Sequence, residues 1–515
     1  MLAFSGETRR TALQRMAESE LDVLVIGGGI TGCGVALDAV SRGLSVGLVE
    51  KEDFASGTSG RSSRLIHGGM RYLQHFEFGL VQESLRERAI LRRIAPHLVR
   101  PIPLYGPMPK LLRRLWFRVG FSVYDGLAVG RNIARHRGVD SEEMHRALPG
   151  LAWPAKGTVY HECRTDDARL TLEVARTASG LGALVGNHAE VTGLLGDERV
   201  RGARVVDRVT GESAEIRARV TVNATGVWAE QVHSLGTGST VRLRPSKGIH
   251  LVFREGAVGT RAGVILPSAA HDKRLIFLIP WEGRVYAGTT DTEYTGDLAD
   301  PPVTDDDRDY LLAAVTRAFP SVTKDDVVAS WAGLRPLLAT DKGSTADLSR
   351  KHAIYETPPG LITITGGKLT TFRAMAEELV DGVAKSLGNR NRSRTRKIPL
   401  GLHADLQGAL ARTGSEAERV GLGAEVGRRF VYRFGDDWTE ALRLIRENPS
   451  LGEPAVDGLP VLRVELELAR TREMALTDDD VLVRRTRVTT MDHRVREPSA
   501  GALQGSGGPA GPAPA

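Results

Sequence analysis

One stretch near the start of the chain limits the possible folds more than any other: Leu21-Asp22-Val23-Leu24-Val25-Ile26-Gly27-Gly28-Gly29-Ile30-Thr31-Gly32. An apolar run of strand length meets three consecutive glycines, and a helical pattern follows from Thr31 to about Ser41. Gly27, Gly29 and Gly32 keep G-x-G-x-x-G spacing, with Gly28 between the first two. Gly27 can make the tight turn, Gly29 lets backbone approach a pyrophosphate, and Gly32 lets helix and strand pack closely. The helix start adds free N–H groups and partial positive charge, both favourable to phosphate. A second strand-like run, Ser45 to Val49, ends at Glu50. That acid stands roughly twenty residues beyond the turn, where a dinucleotide ribose needs an acceptor. The glycine spacing alone is a weak signal. Strand, helix and acid together predict a dinucleotide-binding α/β unit.

With 515 residues the chain has room for two or three domains. Its 41% hydrophobic and 26% charged residues fit a soluble globular protein. The net charge of +6 comes from 69 basic and 63 acidic residues. A mildly cationic surface of that kind suits anionic lipid or substrate better than nucleic acid. Two cysteines, Cys33 and Cys163, make no disulfide framework and point to a reducing cytosol. No Cys-x-x-Cys spacing occurs, so no metal site is predicted. Residues 1–20 read as an N-terminal extension without the apolar core of a signal peptide. No apolar run reaches eighteen residues, so no membrane span is expected. Residues 497–515, rich in Pro, Gly and Ala, read as a disordered tail.

Beyond Glu50 lies a segment of hydroxyls, glycines and cations, Gly57 to Leu73. Thr58, Ser59, Ser62 and Ser63 offer donors for phosphates or a flavin ring, although a long polar loop would look similar. His67, Arg71 and Tyr72 add a candidate base and two anion-directed donors. Residues 80–99 read as a helix ended by Pro101 and Pro103. At 108–121, Lys110, Arg113, Arg114 and Arg118 interleave with leucines and aromatics. This pattern suits a lipid interface, with Trp116 and Phe117 below the headgroups, or equally a helix packed on its own domain. Asp166 and Asp167 read as caps of a helix start. Strand patterns run through 158–289 and include the turn Asn223-Ala224-Thr225-Gly226. They suggest a mixed sheet in a second domain interleaved with the first, over 21–395 together. Four later motifs carry cations at turns or strand starts: Lys247 with His250, Arg335, Arg350, and Gly366-Gly367-Lys368-Leu369-Thr370. Gly367-Lys368 lacks the first glycine of a P-loop, which excludes nucleotide-triphosphate hydrolysis by that device. Helical patterns at 416–434, 438–447 and 462–474 mark a smaller helical domain over 396–496.

The order of these motifs resembles the bacterial aerobic, FAD-dependent glycerol-3-phosphate dehydrogenases over roughly residues 20–490. The resemblance rests on Ile26-Gly27-Gly28-Gly29-Ile30, on Ser63 to Leu73, and on Val222 to Gly226. It continues through Gly288 to Asp291, Gly333 to Leu337 and Gly366 to Thr371. It implies a Rossmann-like FAD-binding domain interleaved with a mixed-sheet substrate domain, plus the helical C-terminal domain. It implies FAD held by Gly27, Gly28, Gly29, Gly32, Glu50, Thr58, Ser59, Ser62, Ser63, Gly226, Gly367, Lys368, Leu369 and Thr370. It further implies a pocket for sn-glycerol 3-phosphate formed by Arg71, Tyr72, Arg335, Arg350 and Lys368, with Lys247 and His250 close by. His67 is then the first candidate for the base, with Arg335 or Lys368 stabilising alkoxide. The family's acceptor is membrane quinone, which implies a cytoplasmic protein docked peripherally on anionic lipid; a homodimer stays open. The nearest alternative is a glycerol-phosphate oxidase, which uses oxygen, and no long inserted segment of the oxidase kind is present. A non-catalytic flavoprotein at a membrane surface would leave the later cationic motifs unexplained.

Overall fold

The computed structural model describes residues 4–108, 111–154, 156–236, 242–270, 272, 274–338 and 352–494. Arg350 and the 497–515 tail lie outside these residues, as does the side chain of Arg71. Two sheets share the chain. The first runs in the order His352–Glu356, Leu361–Gly366, Ser213–Asn223, Leu21–Ile26, Val46–Val49 and Leu184–Gly186. Along this path the strands are parallel, except that His352–Glu356 is antiparallel to its neighbour, and Gly202–Asp207 and Ala189–Leu194 extend the sheet from Ser213–Asn223 by antiparallel pairing. Parallel strands covered on both faces need unbroken apolar runs. Val23, Leu24, Val25, Val220 and Val222 supply them and are buried. Helix Ile30–Ser41 packs between helices Asp167–Gly180 and Phe372–Ser386. Its small residues make the close approach possible, since a Cβ on Gly34 would stand 2.9 Å from the Phe372 ring. Ahead of the first strand, helix Gly6–Glu18 is capped by Ser5 and packs against the Leu184–Gly186 edge. The Arg9 guanidinium fixes it there, bonding Asp207 and the carbonyls of Asn187 and His188.

The second sheet is mixed. It runs Thr292–Glu293, Ser246–Phe253, Arg284–Gly288, Leu275–Trp281, Gly263–Pro267, Arg100–Pro107, Gly157–Arg164 and Leu65–Ile66. Val327–Arg335 also pairs with Ser246–Phe253, in antiparallel register. Ile249, Leu251 and Phe253 pack toward helix Asp305–Ala318. Val252, Tyr286 and Trp331 lie in the core on the opposite side, together with Val481 and Val488 from the end of the chain. Helices Leu406–Glu418, Ala424–Phe434, Trp438–Glu447 and Arg463–Arg472 gather around Phe430, Phe434, Trp438 and Leu468 as a helical C-terminal domain.

Three expectations are corrected. The helix expected over 80–99 spans Phe78–Ile94, and Pro101 and Pro103 lie inside the strand Arg100–Pro107. That strand pairs along its length with Gly157–Arg164, but its second neighbour joins only at Leu104. The two prolines therefore sit where one edge is still open and a missing N–H is tolerated. The single helix expected over 416–434 is two, broken around Gly421, whose φ of +78° is a conformation that suits glycine. In helix Leu111–Leu127, Phe117 turns toward the interior, while Leu115, Val119 and Val123 face outward. The Trp116 side chain lies outside the described residues.

Candidate active site

The C-terminal ends of the parallel strands build the first compartment, a cavity of about 270 Å³. Gly27 follows the first strand, Glu50 the second, Ala224–Gly226 the third, and Gly367 and Lys368 the fourth. Crevices at this end of an open α/β sheet are the usual place for a bound dinucleotide. The glycines are demanded by contact. A Cβ on Gly32 would stand 1.9 Å from the Gly27 carbonyl oxygen, and Gly27 itself has a φ of +112°. Helix Ile30–Ser41 starts at Gly29 without a capping side chain, and the Ser59 hydroxyl accepts from the Ile30 N–H at 2.8 Å. Glu50 accepts from the N–H of Gly28 at 2.6 Å and of Glu52 at 2.9 Å. Burial raises its carboxyl above the ordinary range, while these two N–H groups pull it down. The compartment thus offers close backbone, an open helix start and a carboxylate acceptor, and these features fit a bound dinucleotide.

A larger cavity of about 710 Å³ adjoins it, sharing Thr58, Ser59, Pro336 and Gly367–Leu369. Adjacent strands of the second sheet bring His250 and Arg335 into its wall. In their register Ser246 faces Arg335 and His250 faces Trp331. His250 stacks on Trp331 with ring centroids 4.6 Å apart, and its Nε2 lies 2.9 Å from the Ser63 hydroxyl. Burial holds the His250 imidazole well below its usual pKa, with the charges of Arg335 and Arg64 acting in the same direction, so it is neutral at neutral pH. Arg335 donates to the Ser246 hydroxyl at 3.4 Å, the Thr289 hydroxyl at 3.2 Å and the Thr290 carbonyl at 3.1 Å. Lys368 holds its ammonium 3.6 Å from the centre of the Tyr72 ring. His67 also lines this cavity, and its backbone N–H donates to the Thr370 hydroxyl at 3.1 Å.

The structure therefore brings His67, Tyr72, His250, Arg335 and Lys368 into one chamber, with Ser62, Ser63 and Leu369 in its wall. Gly29, Glu50, Thr58, Ser59, Gly226 and Gly367 line the smaller one. Lys247 is placed elsewhere. Side chains alternate along Ser246–Phe253, so Gly248 and His250 face the cavity while Lys247 points the other way. Its ammonium is paired with Asp307 at 2.6 Å and donates to the Pro302 carbonyl at 3.0 Å. Sequence reasoning missed Glu162. Buried in a strand, it accepts from Arg88, from the Tyr124 hydroxyl and from the Gly68 N–H beside His67. The visible signal was a carboxylate between His161 and Cys163 in an otherwise strand-like run.

Comparison with known proteins agrees with this geometry. Residues 22–381 match the family model described as FAD dependent oxidoreductase, and 393–502 match that of the C-terminal domain of alpha-glycerophosphate oxidase. Glycerol-3-phosphate dehydrogenase 2 of Mycobacterium tuberculosis is 40% identical over 502 residues, 95% of this chain and 84% of the relative. The aerobic glycerol-3-phosphate dehydrogenase of Staphylococcus haemolyticus is 37% identical over 509 residues, 94% of this chain and 90% of the relative. Among solved structures, the glycerol-3-phosphate dehydrogenase of Bacillus halodurans complexed with FAD superposes with a TM-score of 0.80 at 36% identity. The match covers 97% of this chain and 92% of that one.

Proposed function

Because the chain belongs to the FAD-dependent oxidoreductase family that includes the glycerol-3-phosphate dehydrogenases, we propose that it oxidises sn-glycerol 3-phosphate to dihydroxyacetone phosphate and passes the electrons to a membrane quinone. The observation that carries this reading is the chamber in which His67, Tyr72, His250, Arg335 and Lys368 meet, opening onto the dinucleotide compartment. FAD, when bound, supplies the acceptor, flavin N5, for the hydride that leaves C2 of the substrate. Gly27, Gly29 and the helix start hold its pyrophosphate, and Glu50 its ribose.

The protein's part is placement and field. His67 takes the proton from the C2 hydroxyl, a role typically worth about a hundred- to ten-thousand-fold in rate. Glu162 orients the backbone next to it through Gly68. His250 is the poorer base, because burial between two arginines opposes its protonation. Arg335, preset by Ser246, Thr289 and Thr290, and Lys368 stabilise negative charge on the C2 oxygen. Arg71 and Arg350 take the phosphate, for which planar guanidinium groups are suited.

Two surface features support a lipid-docked protein. Helix Leu111–Leu127 exposes Leu115, Val119 and Val123 beside Arg118. In the linker after helix Phe372–Ser386, Asn389, Asn391, Ser393 and Thr395 bond inward to Arg42 and Asp38, while Arg390, Arg392, Arg394 and Arg396 are exposed. Each such cation near an anionic leaflet contributes about 1 kcal/mol. No helix among the described residues is long and apolar enough to cross a membrane.

The test is anaerobic. sn-Glycerol 3-phosphate added without oxygen bleaches the flavin band, and a flavin that stays oxidised in excess substrate rejects the reading. The match of 393–502 to an oxidase C-terminal domain favours one alternative, oxygen as acceptor. Turnover that yields peroxide and does not reduce quinone would establish it.

A further inference from the structure

The segment from Glu50 to Arg64 wraps both compartments. Thr58 and Ser59 line both, and Ser62 and Ser63 the larger alone. Two of its non-glycine residues are left-handed, Ala55 at φ +62° and Arg64 at φ +52°. Such conformations persist only where surrounding structure imposes them. Much of that structure comes from the far end of the chain. Residues Asp480–Arg485 form a π-helical turn that aims two successive arginines at one carboxylate. Arg484 Nε donates to Asp53 Oδ2, and Arg485 Nη2 to Asp53 Oδ1, both at 2.9 Å. Arg487 reaches the other end of the loop. Its Nη1 donates to the Gly60 carbonyl at 3.0 Å, and its Nη2 to Asp166 at 3.0 Å and to Asp167.

Asp167 passes the restraint on. Its Oδ2 accepts from the Ser62 N–H at 2.9 Å and from the Ser62 hydroxyl at 2.7 Å. The Ser62 hydroxyl in turn accepts from the Arg64 N–H at 3.0 Å. Ser63, held at its carbonyl by the Tyr286 hydroxyl at 2.9 Å, then meets His250. Asp53, Asp167, Arg485 and Arg487 are all buried. None of the three arginines is among the residues that line either compartment, so any effect on the cofactor runs through the loop.

We propose that Arg484, Arg485 and Arg487 of the C-terminal domain are positioning residues that clamp the cofactor loop between Asp53 and Ser62, so that FAD binding and docking of residues 480–487 are thermodynamically linked. The inference rests on FAD as cofactor and does not depend on which substrate is oxidised. Linkage is reciprocal. Whatever factor the clamp adds to FAD affinity, bound FAD adds to the protection of the clamp.

The experiment uses the full chain, stripped of flavin and reconstituted. Hydrogen exchange of residues 480–487 in the unmutated protein slows on adding FAD, while helices Ala424–Phe434 and Trp438–Glu447 are unchanged. FAD titrated into Arg487→Ala, read by flavin fluorescence, binds about tenfold or more weakly, and Arg487→Lys recovers part of the loss. Exchange in 480–487 that ignores FAD overturns the proposal. So does an Arg487→Ala protein with native helicity that binds FAD as tightly as the parent. If Arg487→Ala does not fold, the exchange measurement decides alone. A protein that binds FAD through this clamp but is not bleached by sn-glycerol 3-phosphate refutes the substrate and leaves the clamp standing.

Discussion

Single residues divide into those that contact forces and those that chemistry requires. Gly32 is forced, because its missing Cβ lets the helix start lie against the Gly27 carbonyl. Gly32→Ala must open that turn, and the expected result is protein purified without flavin, checked by the absorbance ratio at flavin and protein wavelengths. His67 is required by the chemistry. His67→Gln is expected to keep FAD and slow anaerobic flavin reduction by about a hundredfold or more, measured by stopped flow; an unchanged rate would remove it as base. The glycine turn and Glu50 were readable from sequence because their constraints are local, a few residues of strand, turn and helix. Lys247 misled for the opposite reason. It stands three residues before His250, on the other face of the strand, and its partner Asp307 is sixty positions away. One-dimensional proximity to a site residue says nothing about which face a strand turns inward.

Elements show the same division. Helix Ile30–Ser41 announced itself through small residues after glycines, whereas strand Arg100–Pro107 was hidden by its prolines. Those prolines are admissible only because the neighbouring strand starts late, a fact of tertiary register. Helix Leu111–Leu127 is amphipathic in sequence, but only the fold shows that Phe117 and Phe121 face inward and that Leu115, Val119 and Val123 form the outer stripe. A charge on that stripe should act on docking alone. Val119→Glu is expected to lower sedimentation with anionic vesicles at low salt while FAD content and dye-linked activity stay unchanged. Equal sedimentation of the two proteins would show that the stripe does not dock on lipid.

Over the whole molecule, buried titratable groups join the parts. His97 lies beside Gly435, where the first domain meets the helical one, and neither ring nitrogen has a hydrogen-bond partner among the described residues. Burial, with Arg169 adding to it, pushes its pKa down to about 3. The unfolded chain takes up that proton near pH 6.5, so this contribution is intact above about 6.5 and is lost as pH falls toward 3. The expected slope is about 1.4 kcal/mol per pH unit in that window, and His97→Gln should flatten it in urea melts. Parallel slopes in the two proteins would contradict the assignment. The Arg9–Asp207 pair fastens the first helix, and Arg9→Ala is expected to cost about 3 kcal/mol, read in the same melts.

The bond between Asp53 and Arg484 spans 431 positions of sequence. A ribosome adding about 5–20 residues per second needs roughly twenty to ninety seconds to pass from one to the other. For most of that time the glycine turn and Glu50 have emerged from the ribosome, while the arginines that steady the neighbouring loop have yet to be made. Nascent chains of this protein would then reach full flavin affinity only as translation ends, and a message cut short before codon 484 would give a paler product.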